Sequence, residues 1–299
     1  VLKWRISLRR ERKPWEGLML YFRQDESIRG ARVVKLTPWR RQIVDTDAGR
    51  IETLDNGIGQ DQAILLVTHG LGSLHSLEEI AEGLTARYPG RRVVAYSRPG
   101  RGASPEPEGI AARDLLVHEA HCVLPALMHA LGLVSVDLVA HSDGVAVAML
   151  FACAHPWMVG RMVAICPRIL AEERDNDDRC IRDLETLGAE HADLQAALRC
   201  RAAQAETLTA EPGMVLDRVD TLAAPLLLIQ GLKDEYGAQR QMEALSDRVH
   251  GQMKWVMLRN DGHFPQHDNA DVVIDMICGH LQETAADAAI HRRPRRGAM

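Results

Sequence analysis

The feature that most constrains this chain is a series of short, unbroken apolar runs, each closed by a glycine or a polar turn and followed by a helix-compatible stretch. The runs are AILLVTHG (63–70), RRVVAYS (91–97), SVDLVAHS (135–142), GRMVAIC (160–166), PLLLIQG (225–231) and KWVMLR (254–259). They are too short for buried helices, and they lack the apolar-polar alternation of a sheet with one wet face. Such runs are strands covered on both faces, as in a parallel sheet. Helical stretches separate them: HSLEEIAEGLTARYPG, which begins after Ser73 and stops at Pro89-Gly90; about 110–131, with a bend expected at Pro125; GVAVAMLFACAH; AQRQMEALSDRV; and a last helix near 269–287. Ahead of them, RQIVDT and RIETLDNG are predicted to pair as strands across Asp47-Ala48-Gly49. The fold class is therefore α/β, a mostly parallel central sheet flanked by helices.

The alternation lapses at 167–224, where charged, helix-compatible runs such as CIRDLETLGAEHADLQAALRCRAAQAETL replace it and no aromatic residue lies between Trp157 and Tyr236. A segment of this length is too long for an ordinary connection, so a short helical cap insertion is expected there. The core is then split into 41–166 and 225–287. Residues 1–40 form a basic extension, and 288–299, ending in HRRPRRGAM, form a basic tail expected to be disordered. The extension accounts for most of the charge asymmetry: residues 1–41 hold twelve Lys or Arg against four Asp or Glu, although the whole chain carries −5. A basic arm containing tryptophan suits contact with a membrane surface or nucleic acid, but its plainer reading is a loosely ordered lead-in.

Other classes find little support. No stretch approaches the roughly 20 apolar residues of a membrane span, and the first residues lack a secretory apolar core, so a cytoplasmic location is the expectation. The six cysteines (Cys122, Cys153, Cys166, Cys180, Cys200, Cys278) are scattered, without a C-x-x-C pair, and read as reduced thiols. No metal is expected: H-E-x-x-H is absent, and AEERDNDDR (171–179) lacks the glycine and ligand spacing of a calcium loop. Phosphate-binding glycine motifs are also absent, so no nucleotide cofactor is expected; no nucleic-acid partner is expected either.

In a sheet of this kind ligands sit at the C-terminal strand ends. Four of those ends carry notable residues: Ser142 after VDLVAH, Asp234 after LLLIQG, His263 after WVMLRN, and the glycines of THGLGS. A serine hydroxyl becomes a useful nucleophile when an imidazole takes its proton and a carboxylate orients the imidazole. Taken alone, Ser142 reads as a helix cap. Asp234 has Glu235 as a rival, and His263 competes with His267, His250 and the rest of the thirteen histidines. His69 and His141 are expected to support loops through hydrogen bonds. Gly70 and Gly72 are expected to permit the loop backbone, Gly144 to leave room at the turn, and Gly262 to let its loop swing His263 inward. The backbone N–H of Asp143, at a helix start, and of Leu71 are the candidate oxyanion donors.

From about Arg41 to the last helix the chain resembles the α/β-hydrolase superfamily. AHSDG resembles the nucleophile elbow G-x-S-x-G with Ala140 in place of the first glycine, HGLGS the oxyanion loop, and YSRPGRGAS the turn after the fourth strand. The order Ser142, Asp234, His263 is the one this fold uses. The resemblance implies a serine esterase-like enzyme acting on a small-molecule ester or thioester through an acyl-enzyme, with no cofactor. Carbon–carbon bond hydrolysis on the same triad is an alternative. A hydrolase-fold binding protein without catalysis is another, suggested by Ala140 and the basic arm. The apolar positions of the insertion are aliphatic, which suits an aliphatic substrate.

Overall fold

A computed structural model describes residues 39–59, 61–170, 213–236 and 238–282. The basic arm, most of the cap insertion and the basic tail fall outside the described residues. The strands are β1 (Arg40–Thr46), β2 (Gly49–Asp55), β3 (Gln62–Val67), β4 (Arg92–Tyr96), β5 (Ser135–His141), β6 (Val159–Ile165), β7 (Leu226–Gly231) and β8 (Met253–Leu258). They form one eight-stranded sheet in the order β1-β2-β4-β3-β5-β6-β7-β8. β1 and β2 make the expected hairpin, β2 meets β4 antiparallel, and every pairing from β4 to β8 is parallel.

This order locates the site. The chain leaves β3 for β4 on one side, then crosses back to set β5 on the other, so the connections after β3 and β5 diverge. In sheets of this kind the ligand site lies where such connections diverge, at the C-terminal ends of the strands. The register aligns Val67 of β3 with Ala140 of β5, which brings the THGLGS loop beside the turn at Ser142.

Alternate residues of the strands feed two cores. Leu65, Val67, Leu138, Ala140, Met162, Leu226 and Leu228 pack with α2 (Leu115–His118), α3 (Leu124–Ala130), α4 (Gly144–Ala154) and α5 (Ala238–Arg248). Ile64, Leu66, Val139, Val163, Leu227 and Ile229 face α1 (Glu78–Arg87) and α7 (Ala270–Gln282), which follows the short α6 (Pro265–Asp268). Burial on both faces is why these strands read as continuous apolar runs. α4 is buried from Gly144 to Ala152, so its sequence is apolar all round.

α1 and α7 approach closely because position 83 is glycine: a Cβ there would lie 2.2 Å from Ile274 Cδ1. Arg87 of α1 bonds Asp275 at 2.7 Å and Asp271 at 3.0 Å on α7.

The single helix expected over about 110–131 is a composite. A 3₁₀ turn (Ala112–Asp114) leads into α2, then a π-helical turn (Glu119–Val123), then α3. The irregular turn lies just before Pro125, whose ring nitrogen offers no donor, so the backbone is already disturbed on its N-terminal side. The last helix is seen as α7, and 283–287 fall outside the described residues.

Candidate active site

Ser142 occupies the tight turn between β5 and α4 with φ of 57°, a left-handed conformation for a residue with a side chain. Such a position costs on the order of 1–3 kcal/mol and must be held by its surroundings. Ser142 N–H donates to Ile165 O at 2.9 Å, and Ser142 O accepts from Arg168 N–H and Val145 N–H, each at 3.1 Å. Gly144 makes the turn possible: a Cβ there would lie 2.3 Å from Thr68 O and 2.9 Å from Val67 O, so the room it provides is room for the end of β3. Ala140, the departure from the usual elbow glycine, is 1% exposed and packs in the core, so the extra methyl group has a place.

The three sequence candidates for nucleophile, base and acid come together. Ser142 Oγ–H points to His263 Nε2 at 2.8 Å, and His263 Nδ1–H donates to Asp234 Oδ2 at 3.0 Å. The side chains of His263 and Asp234 are 8% and 3% exposed, so the chain of hydrogen bonds lies largely out of water. Asp234 also accepts from Gln230 Nε2 at 2.7 Å and from Tyr236 N–H at 2.9 Å. Burial alone would raise its pKa, but His263 and these donors outweigh burial and hold the carboxyl below its ordinary value.

The rivals are elsewhere: Glu235 and His250 are exposed, and His267 faces Glu79 at 3.7 Å. Gly262, just before His263, is not left-handed, and a Cβ there would meet nothing within 4 Å. The glycine the loop requires is Gly231, where a Cβ would meet Gly262 O at 2.0 Å.

His141 and His69 buttress the site in different ways. His141 Nε2–H donates to His263 O at 2.8 Å, and its Nδ1 accepts from Gln266 Nε2 at 3.2 Å, a pattern that requires the neutral ring. Burial drives its basicity well below that of a free imidazole. The hydrogen-bonding role expected of the His69 ring is not met at Nε2, which has no partner among the described residues. That ring instead packs edge-on against His141 at 5.3 Å and Phe264 at 5.4 Å. Burial lowers its pKa to about 3, against the pull of the Asp143 carboxylate.

The candidate oxyanion donors, Leu71 and Asp143, sit on adjacent strand-end loops. Gly72 is needed for space and not for an unusual backbone angle: a Cβ there would lie 2.5 Å from His69 Nε2, 2.5 Å from Ser76 Oγ and 2.6 Å from Thr68 Oγ1. The Asp143 side chain, buried behind the elbow, accepts the N–H of Gly70 and faces Arg98 Nη1 at 3.4 Å. Burial would raise the Asp143 pKa, but Arg98, with smaller help from Arg168, His69 and Arg101, holds it below the ordinary value.

A model of the alpha/beta hydrolase family matches residues 64–276, most of the chain. The chain belongs to the alpha/beta hydrolase family. Solved structures agree on the fold. The 2-hydroxy-6-oxo-6-phenylhexa-2,4-dienoate hydrolase of Rhodococcus sp. strain RHA1 superposes with a TM-score of 0.67 at 16% identity, over 82% of this chain and 99% of that one. A bacterial membrane phospholipase A gives 0.65 at 20% identity, over 82% and 86%. The enol-lactonase of Burkholderia xenovorans LB400 gives 0.64 at 15%, over 81% and 100%.

Several residues of this hydrolase site escape a reading of the sequence. Cys166, at the end of β6, is fully buried and takes a left-handed φ of 43°. Its thiol lies beside the Asp234 carboxylate and 3.7 Å from Gly262 O, and burial pushes its pKa well up. The Cys166, Asp234 and His263 ligand atoms lie within 4.8 Å of one another, a spacing that would also suit a metal ion. Hydrogen bonding accounts for the cluster without one, since His263 and Asp234 are already joined. The Tyr236 ring, 4.5 Å from His263, walls the imidazole. Cys166 follows the same strand-end logic as Ser142, but a lone cysteine after an apolar run reads as core.

Proposed function

We propose that this hydrolase cleaves a carboxylic ester or thioester of a small, aliphatic substrate through an acyl-enzyme on Ser142. The observation that carries this reading is the continuous path from Asp234 Oδ2 through His263 to Ser142 Oγ, with contacts of 3.0 and 2.8 Å. Ser142 Oγ attacks the carbonyl carbon as its proton passes to His263 Nε2, and Asp234 stabilises the resulting imidazolium. The oxyanion is received by the N–H groups of Leu71 and Asp143. Collapse breaks the acyl–oxygen or acyl–sulfur bond, the leaving group takes the proton from His263, and water repeats the sequence to release the acid. This chemistry needs no cofactor.

Carbon–carbon bond hydrolysis can use the same groups, and the dienoate hydrolase shares the fold. The choice between them falls to a substrate panel. Short-chain p-nitrophenyl esters, an acyl thioester and a vinylogous diketone, tested with the native protein and Ser142→Ala, separate the classes. Turnover that vanishes in the variant supports the proposal. A folded native protein that turns over none of them contradicts it and favours the binding-protein alternative. Among the described residues no helix is long and apolar enough to cross a membrane.

A further inference from the structure

The turn after β4 contributes a buried cation to the oxyanion side of the site. Arg101 is 5% exposed, and its Nε–H donates to the carbonyl oxygen of Gly70. That carbonyl belongs to the same peptide unit as the N–H of Leu71. In a planar trans peptide the C=O and N–H point in opposite directions, so fixing one fixes the other. The N–H of Gly70, on the preceding peptide, is held by the Asp143 carboxylate. Two consecutive peptides of the loop are thus gripped by charged side chains, one from the elbow and one from the turn.

The turn itself is rigid. Gly102 has φ of +49°, and a Cβ there would lie 2.4 Å from Glu52 Oε2, which also accepts Ser97 Oγ–H at 2.6 Å and Ala103 N–H at 3.0 Å. Ser104 Oγ–H donates to Ser97 O at 2.6 Å, and Arg101 N–H donates to Arg98 O at 2.9 Å. Arg101 is therefore aimed from a platform pinned to β2 through Glu52, and is not a mobile surface arginine.

We infer that Arg101 is a positioning residue for the oxyanion site: by holding and polarising the Gly70–Leu71 peptide, it aligns the Leu71 N–H and makes it a stronger donor. A charged donor on a carbonyl draws electron density through the amide, which leaves the N–H more acidic. The inference rests on the serine-hydrolase reading above. Its effect belongs to the tetrahedral species and not to the bound substrate, because the negative oxygen exists only after attack.

The test compares Arg101→Gln and Arg101→Lys with the native enzyme, using the best p-nitrophenyl ester and a trifluoromethyl ketone that forms a tetrahedral adduct with the serine. Removing an oxyanion donor outright costs about 100- to 1,000-fold, so loosening one should cost about 10- to 100-fold. Arg101→Gln should lose that much in kcat with KM within about twofold, the trifluoromethyl ketone should weaken in parallel with kcat/KM, and Arg101→Lys should recover much of the loss. A kcat within about threefold of native, or a loss of kcat with unchanged affinity for the ketone, overturns the inference. If Arg101→Gln does not fold, Arg101→Lys decides alone: changes in kcat/KM and ketone affinity that match in size, however small, support the inference, and a fall in one without the other overturns it. A native protein without esterase activity or a Ser142 adduct would instead count against the hydrolase reading itself.

Discussion

At the scale of single residues, the site depends on a few positions where chemistry and geometry leave no alternative. Asp234 holds His263 in the tautomer that leaves Nε2 free to accept from Ser142, so an isosteric amide at this position would favour the wrong tautomer. Asp234→Asn should lower kcat by about 1,000- to 10,000-fold with a much smaller change in KM, measured by steady-state ester hydrolysis. A loss of less than about tenfold would remove Asp234 from the mechanism.

Gly144 is constrained by space. With Thr68 O 2.3 Å from where a Cβ would sit, Gly144→Ala must push the elbow away from β3. We expect it to lose on the order of 1–3 kcal/mol in urea unfolding, and to lose activity as well because Ser142 moves with the turn. The three residues that the structure brings together, Ser142, Asp234 and His263, were legible as site candidates because each follows an apolar strand at the carboxyl edge of the sheet. Cys166, Arg98 and Arg101 were not. A cysteine after an apolar run resembles core, and arginines in a Pro- and Gly-rich turn resemble solvated surface until the fold buries them.

At the scale of elements, the strand-to-loop junctions are tied together by buried charge. Arg98, after β4, pairs with Glu119 of the π-helical turn through Nε at 2.9 Å and Nη2 at 2.9 Å, and Tyr96 Oη–H donates to the same carboxylate at 2.8 Å. The two charged side chains are 2% and 6% exposed. Neutralising Glu119 leaves buried Arg98 with the Asp143 carboxylate, 3.4 Å away, as its remaining counter-charge, so Glu119→Gln should destabilise by about 1–3 kcal/mol in chemical denaturation. A change near zero would mean that water replaces the lost charge. The π-helical turn that presents Glu119 was invisible in the sequence, since one inserted residue barely alters a 3.6-residue period. The strands were legible because burial on both faces leaves little choice but Val, Leu, Ile and Ala along them.

At the scale of the whole molecule, acid should be the condition this protein tolerates least. His69 and His141 are buried with lowered pKa values, about 3 for His69. Below the ordinary imidazole value near 6.5 the unfolded chain takes up protons that these folded rings refuse, so stability falls as pH falls. Asp143, Asp234 and Glu52 act in the same direction at lower pH: their folded carboxyls are lowered despite burial, and the stability they confer is lost as pH drops below the ordinary carboxylate range. Each such histidine adds up to about 1.4 kcal/mol of lost stability per pH unit below 6.5. Thermal midpoints measured from pH 8 to pH 5 should decline, with the steepest part below pH 6.5, and His69→Gln should flatten the slope. A flat profile would show that both rings take up protons in the folded state.

The nucleophile assignment underlies all of this, and intact-mass analysis after treatment with a fluorophosphonate tests it most directly. The expected result is one adduct per chain, mapped by peptide digestion to Ser142, absent in Ser142→Ala and formed in step with the loss of ester turnover. Folded native protein that forms no adduct, or forms it at another serine, would contradict the account.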